Sequence, residues 1–267
     1  MKLDIADLAF HQRLGRLIER LDDRQFWNAL IDLLRGAVQI DNWVAMVFSP
    51  TQKPCLIAES APGAKPDTLF EGYLNSVYLL DPFYQFSLGP ISPGVYRIDE
   101  VAPDQFRETE YFRRYFSVNV REDEIQFLVP LPGGERVSLS LGSRQRFSAA
   151  DVGTLCLYGT WILPLMRRAV PSPACERPRT DRATAESERR AHFEQALRER
   201  ASTRLTAREI EVALKILAGH SSKNIARLLG ISPATAKVHR TNLYRKLDIS
   251  SQATLFGLFM DEVPQAE

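Results

Sequence analysis

Histidine is scarce in this chain. Only four stand among 267 residues, and His11 is the only one before residue 192. No His-dependent catalytic dyad and no histidine metal cluster is therefore expected in the first two thirds of the sequence. Cysteine is scarcer still: Cys55, Cys156 and Cys175 are odd in number and widely spaced, so neither a disulfide framework nor a zinc ribbon is expected. In strand or helix patterns such cysteines are expected to be small buried apolar groups rather than redox sensors. No run of 18 uncharged apolar residues occurs, which argues against a membrane-spanning helix. Met1 to Asp7 carries acids where a signal peptide needs a positive region and an apolar core, so no leader is expected. Gly133-Gly134-Glu135 is not a phosphate-binding loop, which needs Gly-Lys-Ser/Thr. These absences describe a cytoplasmic chain that is not an enzyme and holds no metal or cofactor.

What is present is asymmetric. Residues 1 to 170 hold 18 Lys and Arg against 21 Asp and Glu, whereas residues 171 to 267 hold 16 against 12. Within Arg204 to Met260 the ratio becomes 9 to 3. One compact basic segment in a nearly neutral chain suits contact with an anionic polymer, although basic helices also occur on solvated surfaces. Pro171 to Pro178 has three prolines in eight residues, and Arg179 to Ser202 offers only Phe193 and Leu197 as large apolar residues. We divide the chain into a domain over residues 1–170, a linker over 171–203 and a basic domain over 204–267.

The first domain reads as mixed. Leu8, Leu14, Leu17, Ile18 and Leu21 fall at helical spacing, as do Phe26, Leu30, Leu33, Leu34 and Val38. Trp43 to Phe48 and Cys55 to Ala58 read as strands. Thr68 to Tyr78 and the aromatic-rich Glu108 to Phe116 read as helices, and Asp81-Pro82 reads as a cap and first position of another. Ile125 to Leu131 and Arg136 to Leu141, joined by Pro132-Gly133-Gly134-Glu135, form a hairpin signal, and Ser148 caps a last helix to about Arg168. Helices around an antiparallel sheet are expected, an α+β sandwich followed by an all-α four-helix domain.

In that last domain Thr206-Ala207-Arg208-Glu209 is a capping box, and Ile210, Val212, Leu214 and Leu217 carry a helix to Gly219. Ser222 to Leu229 is a second helix, Gly230-Ile231-Ser232 a turn, and Pro233 to Leu247 a third helix with Ala236, Leu243 and Leu247 inward. A short helix follows Ser250-Ser251. Helix, glycine turn and helix at this spacing is helix-turn-helix geometry, in which the second helix enters a major groove. Ala234, Lys237, Val238, Thr241 and Arg245 then face out, with His239 and Lys246 at the edge as phosphate contacts, and Thr235 and Arg240 complete the candidate DNA-binding set. Lys223 and Asn224 start the preceding helix, where the helix terminus already favours phosphate. A bundle with a merely basic surface is the alternative.

Leu205-Thr206-Ala207-Arg208-Glu209-Ile210-Glu211-Val212 resembles the opening of the DNA-binding domain of LuxR/FixJ (GerE-type) regulators. Asn224-Ile225-Ala226, Leu229-Gly230-Ile231-Ser232, Thr235 to His239 and Arg245-Lys246-Leu247 continue the match in order over about 55 residues. Ala236 stands where that family usually has valine, and Asp248 where it often has glycine. The resemblance implies double-stranded DNA as partner and a homodimer through Leu255, Leu258 and Phe259, with RNA polymerase a candidate partner.

The input side is read from resemblance too. Tyr73 to Asp151 is similar to the autoinducer-binding domain of quorum-sensing LuxR proteins, with Tyr73 and Asp81-Pro82 matching its Tyr…Asp-Pro segment. The resemblance implies a small-molecule effector contacted by Asp81, Tyr73, Tyr96 and a sheet serine, Ser138 or Ser140; Trp43 and Tyr84 complete the candidate set. Leu69 replaces an expected tryptophan, and Arg121-Glu122-Asp123-Glu124 replaces a glycine-rich stretch, which points away from a standard acyl-homoserine lactone. Tyr73, Tyr78, Phe83, Tyr84, Phe86, Tyr96, Phe106, Tyr111, Phe112, Tyr115 and Phe116 crowd this region, either as pocket lining or as core. Asp81 could equally be a simple helix cap. Glu122, Asp123 and Glu124 read as solvated charge on a strand edge.

Overall fold

The computed structural model describes residues 6–23, 25–50, 53–60, 73–74, 77–109, 111–120, 122–170, 205–217, 219–252, 254–255 and 258. The linker expected over 171–203 lies outside them. Two compact units divide the chain. The first comprises Met1–Asp67, Phe86–Val101 and Val120–Arg177; the second comprises Thr68–Gln85, Ala102–Asn119 and Pro178–Glu267.

The first unit is built on helices α1 (Leu8–Glu19) and α2 (Phe26–Arg35), a five-stranded antiparallel sheet and helix α4 (Ala149–Ala169). The strands are β1 (Asn42–Phe48), β2 (Cys55–Glu59), β3 (Gly94–Arg97), β4 (Asp123–Pro130) and β5 (Arg136–Ser143), in the order β2-β1-β5-β4-β3. The β4–β5 hairpin forms as its sequence implies. Strand β3 has no counterpart in the sequence reading, because four residues after a proline carry too little alternation to register as a strand.

Alternation gives the sheet two unlike faces. Trp43, Ala45, Val47, Ile125, Phe127, Val129, Val137, Leu139 and Leu141 join Leu30, Leu34, Tyr158, Ile162 and Met166 of the helices in one buried apolar cluster. The opposite set pairs Gln126 with Ser140 and Leu128 with Ser138 on β4–β5, and Met46 with Ser138 on β1–β5. This second face is also buried, yet half of it is polar: Glu124, Gln126, Ser138 and Ser140.

Three expectations need correcting here. Leu8, counted in the apolar row of α1, is 71% exposed, because Phe10 and Leu17 carry that helix's packing. Cys55 is disulfide-bonded, although its spacing in the sequence signals no pairing. Cys156 is free and exposed rather than buried. Helix α4, capped by Ser148 and Asp151 in a reciprocal box, is moreover long and apolar enough by length and composition to cross a membrane, although no uncharged run signalled it. Leu155, Tyr158, Ile162 and Met166 bury one side of it.

Helix α3 (Pro82–Ser87), whose first four residues belong to the second unit, follows the tight turn Val77–Leu80. The helix expected over Thr68 to Tyr78 falls largely outside the described residues. The aromatic helix expected over Glu108 to Phe116 is instead a short turn, Phe106–Glu108, and a π-helical turn, Phe112–Phe116. Phe106 meets Phe112 and Phe116 edge-on, and Phe112 stacks on Phe116. Helices α5 (Ala207–Leu217), α6 (Ser222–Leu229) and α7 (Pro233–Leu247) then pack on one another.

Candidate nucleic-acid interface and ligand site

Helix α7 starts where its sequence says it must. The Ser232 hydroxyl accepts from the Thr235 amide at 3.0 Å, and Pro233 fills the first position. Gly230 closes α6 with φ +64, a left-handed conformation in which glycine has no side-chain penalty. Ala236, Leu243 and Leu247 are buried, so the opposite row is fixed. Ala234, Thr235, Lys237, Val238, Arg240, Thr241 and Arg245 are exposed, and His239 is half-buried. Val238 is the informative member: a large apolar side chain 56% exposed within a basic row.

Lys246 departs from its expected role at the edge of that row. Its ammonium lies 2.8 Å from Glu209 Oε2, and the side chain is only 16% exposed. The same carboxylate accepts from the Thr206 amide at 2.7 Å, while the Thr206 hydroxyl accepts from the Glu209 amide at 3.2 Å, which is the capping box read in the sequence. Burial alone would raise the Glu209 pKa, but the Lys246 and Thr206 hydrogen bonds outweigh it and hold the carboxyl below its usual range. Lys246 therefore ties the end of α7 to the start of α5.

At the start of α6, Lys223 is exposed, whereas Asn224 is engaged internally, with His220 Nδ1 at 2.9 Å and Arg227 Nη2 at 2.9 Å. Leu255 is fully buried within its own chain, so it has no free side chain to offer a partner; Leu258 is half-buried, and Phe259 lies outside the described residues.

The candidate ligand residues fall into two groups. Tyr73, Asp81 and Tyr84 belong to the second unit, and Trp43, Tyr96, Ser138 and Ser140 to the first. Asp81 is 5% exposed and acts as the helix cap that one sequence reading assigns to it. Its Oδ2 accepts from the Tyr73 hydroxyl at 2.6 Å, and its Oδ1 accepts from the Phe83 amide at 2.8 Å, capping α3. Burial pushes the Asp81 pKa up to about 6 against the lowering effect of those donors, and burial followed by the Asp81 charge pushes Tyr73 well above its ordinary value. Tyr73 stacks on Tyr115 at 5.2 Å, and Tyr84 meets Tyr78 edge-on at 4.9 Å.

On the sheet, Ser140 donates to Glu124 Oε1 at 2.6 Å, Gln126 donates to the same oxygen at 2.7 Å, and Ser138 donates to Gln126 Oε1 at 2.6 Å. Tyr96 pairs with Gln126 and so shares that face; its hydroxyl donates to the Ser92 carbonyl at 2.7 Å. Trp43 does not share it. It pairs with Leu141 on the helix-covered face, so it is a core residue. Sequence reasoning also missed Glu124 and Gln126. Far from being solvated, Asp123 and Glu124 are buried, Asp123 accepting from the Phe147 amide at 3.0 Å. The available signal was alternation: Glu124, Gln126, Ser138 and Ser140 occupy every second place against Ile125, Phe127 and Leu139.

Comparison with known proteins places this geometry. Residues 203–258 match GerE, described as bacterial regulatory proteins of the luxR family. A putative HTH-type transcriptional regulator in the exeN 3′ region of Aeromonas salmonicida is 29% identical over 188 residues, covering 68% of this chain and 94% of that one. The transcriptional regulatory protein MctR of Rhizobium johnstonii is 46% identical over 63 residues, 24% of this chain and 29% of its own. The crystal structure of the VqsR LBD domain from Pseudomonas aeruginosa shares 35% identity with a TM-score of 0.57, over 61% of this chain and 98% of that one. The chain is a DNA-binding transcriptional regulator and belongs to the luxR family of bacterial regulatory proteins.

Proposed function

We propose that this protein is a one-component regulator in the cytoplasm: a small molecule bound by its N-terminal domain, residues 1–170, sets how a homodimer of its 204–267 domain engages duplex DNA. The observation that carries the DNA half is the exposed row Ala234, Lys237, Val238, Thr241 and Arg245 opposite the buried Ala236, Leu243 and Leu247. Cations beside a bare valine suit a major groove, which presents phosphates, base acceptors and the thymine methyl together. Thr235, His239, Arg240 and Lys223 flank the row as backbone contacts. A two-fold dimer of this module requires half-sites about one helical turn apart. Lys237→Ala, assayed against an operator selected from a random duplex pool, is expected to weaken binding by about 1–3 kcal/mol if Lys237 reads a base. An equal loss on all sequences assigns it to phosphate, and no loss on any sequence discards this docking.

The sensing half rests on Tyr73, Asp81, Tyr84, Tyr96, Ser138 and Ser140. Binding shifts the regulator only as far as the ligand prefers one arrangement over another. A second reading is favoured by one observation: both Asp81 oxygens are already occupied, by Tyr73 and by Phe83. On that reading the N-terminal domain is a ligand-free interaction or dimerisation module. Native mass spectrometry of the purified protein, followed by thermal shift against a metabolite panel, separates the two. A co-purified molecule, or a metabolite that raises the midpoint, supports sensing; neither appearing supports the interaction module.

A further inference from the structure

Within the second unit, the segment Pro103 to Thr109 is fastened to the start of α6 and the turn before it. Asp104 Oδ1 accepts from the Ser221 amide at 3.0 Å. The Gln105 amide donates to the Gly219 carbonyl at 3.1 Å. Gly219 has φ +89, and a Cβ built there would stand 2.6 Å from the Thr109 methyl and 3.1 Å from Phe106 Cα, so only glycine allows so close an approach. The clasp is thus made by a side chain, a backbone hydrogen bond and a shape fit, all on the turn between α5 and α6.

The position of the carboxylate matters. Ser221 is the N-cap of α6, an eight-residue helix, and its amide belongs to the donor-rich end where a helix favours an anion. Lys223 is exposed one residue inside that end. Donors of this kind, beside a lysine, suit a DNA phosphate. In the structure the anion present is Asp104. Its pKa reflects the engagement: burial would raise it, but the Ser221 hydroxyl and amide more than offset this and leave it below its ordinary value.

We propose that Asp104 is an internal substitute for a DNA phosphate, so that the 103–109 segment competes with duplex DNA for the start of α6 and restrains binding until the segment is released. The proposal rests on the DNA-facing assignment of Lys223 given above. The clasp also has a route to the input side. Tyr73, hydrogen-bonded to Asp81, stacks on Tyr115; Tyr115 meets Tyr111 at 5.5 Å; Tyr111 meets Phe106 at 5.9 Å; and the Phe106 backbone lies against Gly219. Contiguity of rings supplies a path for movement and is not itself a measure of coupling.

The test uses the full-length protein and a fluorescein-labelled mixed-sequence duplex, read by anisotropy across a salt series. Asp104→Asn removes the charge and keeps an acceptor, while Asp104→Ala removes both. Both are expected to bind about three- to tenfold more tightly than wild type, alanine the more so, because a charge-assisted competitor is lost. The log–log salt slope should stay close to that of wild type, because the bound complex makes the same phosphate contacts once the segment is released. If the Asp104 variants bind as wild type or more weakly while Lys223→Ala and Lys237→Ala still lose affinity, the clasp is merely structural and the proposal fails, with the DNA-facing assignment intact. If Lys223→Ala and Lys237→Ala bind as wild type, the DNA-facing assignment fails and takes this proposal with it.

Discussion

Asp81 and Asp104 make the same interaction at two places in the second unit, and the results are opposite. Each offers one carboxylate oxygen to an amide at the start of a helix, at 2.8 Å for Phe83 and 3.0 Å for Ser221. Asp81 caps its own helix, is buried, and has its pKa pushed up to about 6. Asp104 caps a helix 117 residues away, is exposed, and has its pKa lowered. Burial raises the pKa of both; only at Asp104 is it small enough for the donors to win. The same pairing therefore makes a rigid internal fixture in one setting and a releasable clasp in the other.

The largest test of this contrast is Asp81→Ala. It strips the cap from α3, worth about 1 kcal/mol, and leaves the buried Tyr73 hydroxyl without its acceptor, costing about 1–3 kcal/mol more. A loss of about 2–4 kcal/mol in chemical denaturation is expected; a loss near zero would show that Asp81 is not structurally engaged. Next comes Gly219→Ala. Placing alanine at φ +89 against the Thr109 methyl should cost about 1–3 kcal/mol by strain and overpacking together. A neutral result would mean that the clasp gives way easily at that point.

Acidification separates the two aspartates by sign. Because its folded pKa is raised, Asp81 contributes most below its unfolded value, about 3.9, and that contribution is lost as pH rises through about 6. Moving from pH 7.5 to 5 should therefore add on the order of 1 kcal/mol through Asp81. His220 opposes it. Burial and then Lys215 lower its pKa to about 4, so its contribution is present above the unfolded value, about 6.5, and falls away as pH drops toward 4. The measurement is accordingly the change with pH in the difference between wild type and Asp81→Asn, which keeps one acceptor oxygen and His220 and removes the titration. No change in that difference between the two pH values would contradict the buried, ionisable state assigned to Asp81.

Legibility followed how local each cause was. Thr206 with Glu209, Ser232 with Pro233, and Gly230 lie within a turn of the structure they create, so helices α5 to α7 and the outward row of α7 could be read directly. The β4–β5 hairpin was legible for the same reason. Lys246 was misplaced because its partner, Glu209, is 37 residues away and no periodicity encodes that pair. Trp43 was grouped with Ser138 and Ser140 because side-chain chemistry was weighed without strand register, and one step of register changes the face. Asp123 and Glu124 looked solvated because a charge run says nothing about a sheet that is covered on both sides. Leu255 was given to a partner although its own chain already buries it. The Asp104–Ser221 contact left no trace in the sequence, since nothing in a short acidic segment names a helix start that far along the chain.

The smallest expected effect is the one that best isolates exposure as the cause. Asp104→Ala removes a helix-start acceptor just as Asp81→Ala does, yet the amide it abandons can turn to water, as can the Ser221 hydroxyl. Its stability cost should stay below about 1 kcal/mol, the range of exposed charge interactions. Lowering the pH from 7.5 to 5 should leave the difference between Asp104→Ala and wild type unchanged. A lowered pKa places the Asp104 contribution above the unfolded value, about 3.9, and loses it only on acidification below that. A cost comparable to that of Asp81→Ala would show that the amide at Ser221 is sealed from water, and the two aspartates would then be fixtures of one kind.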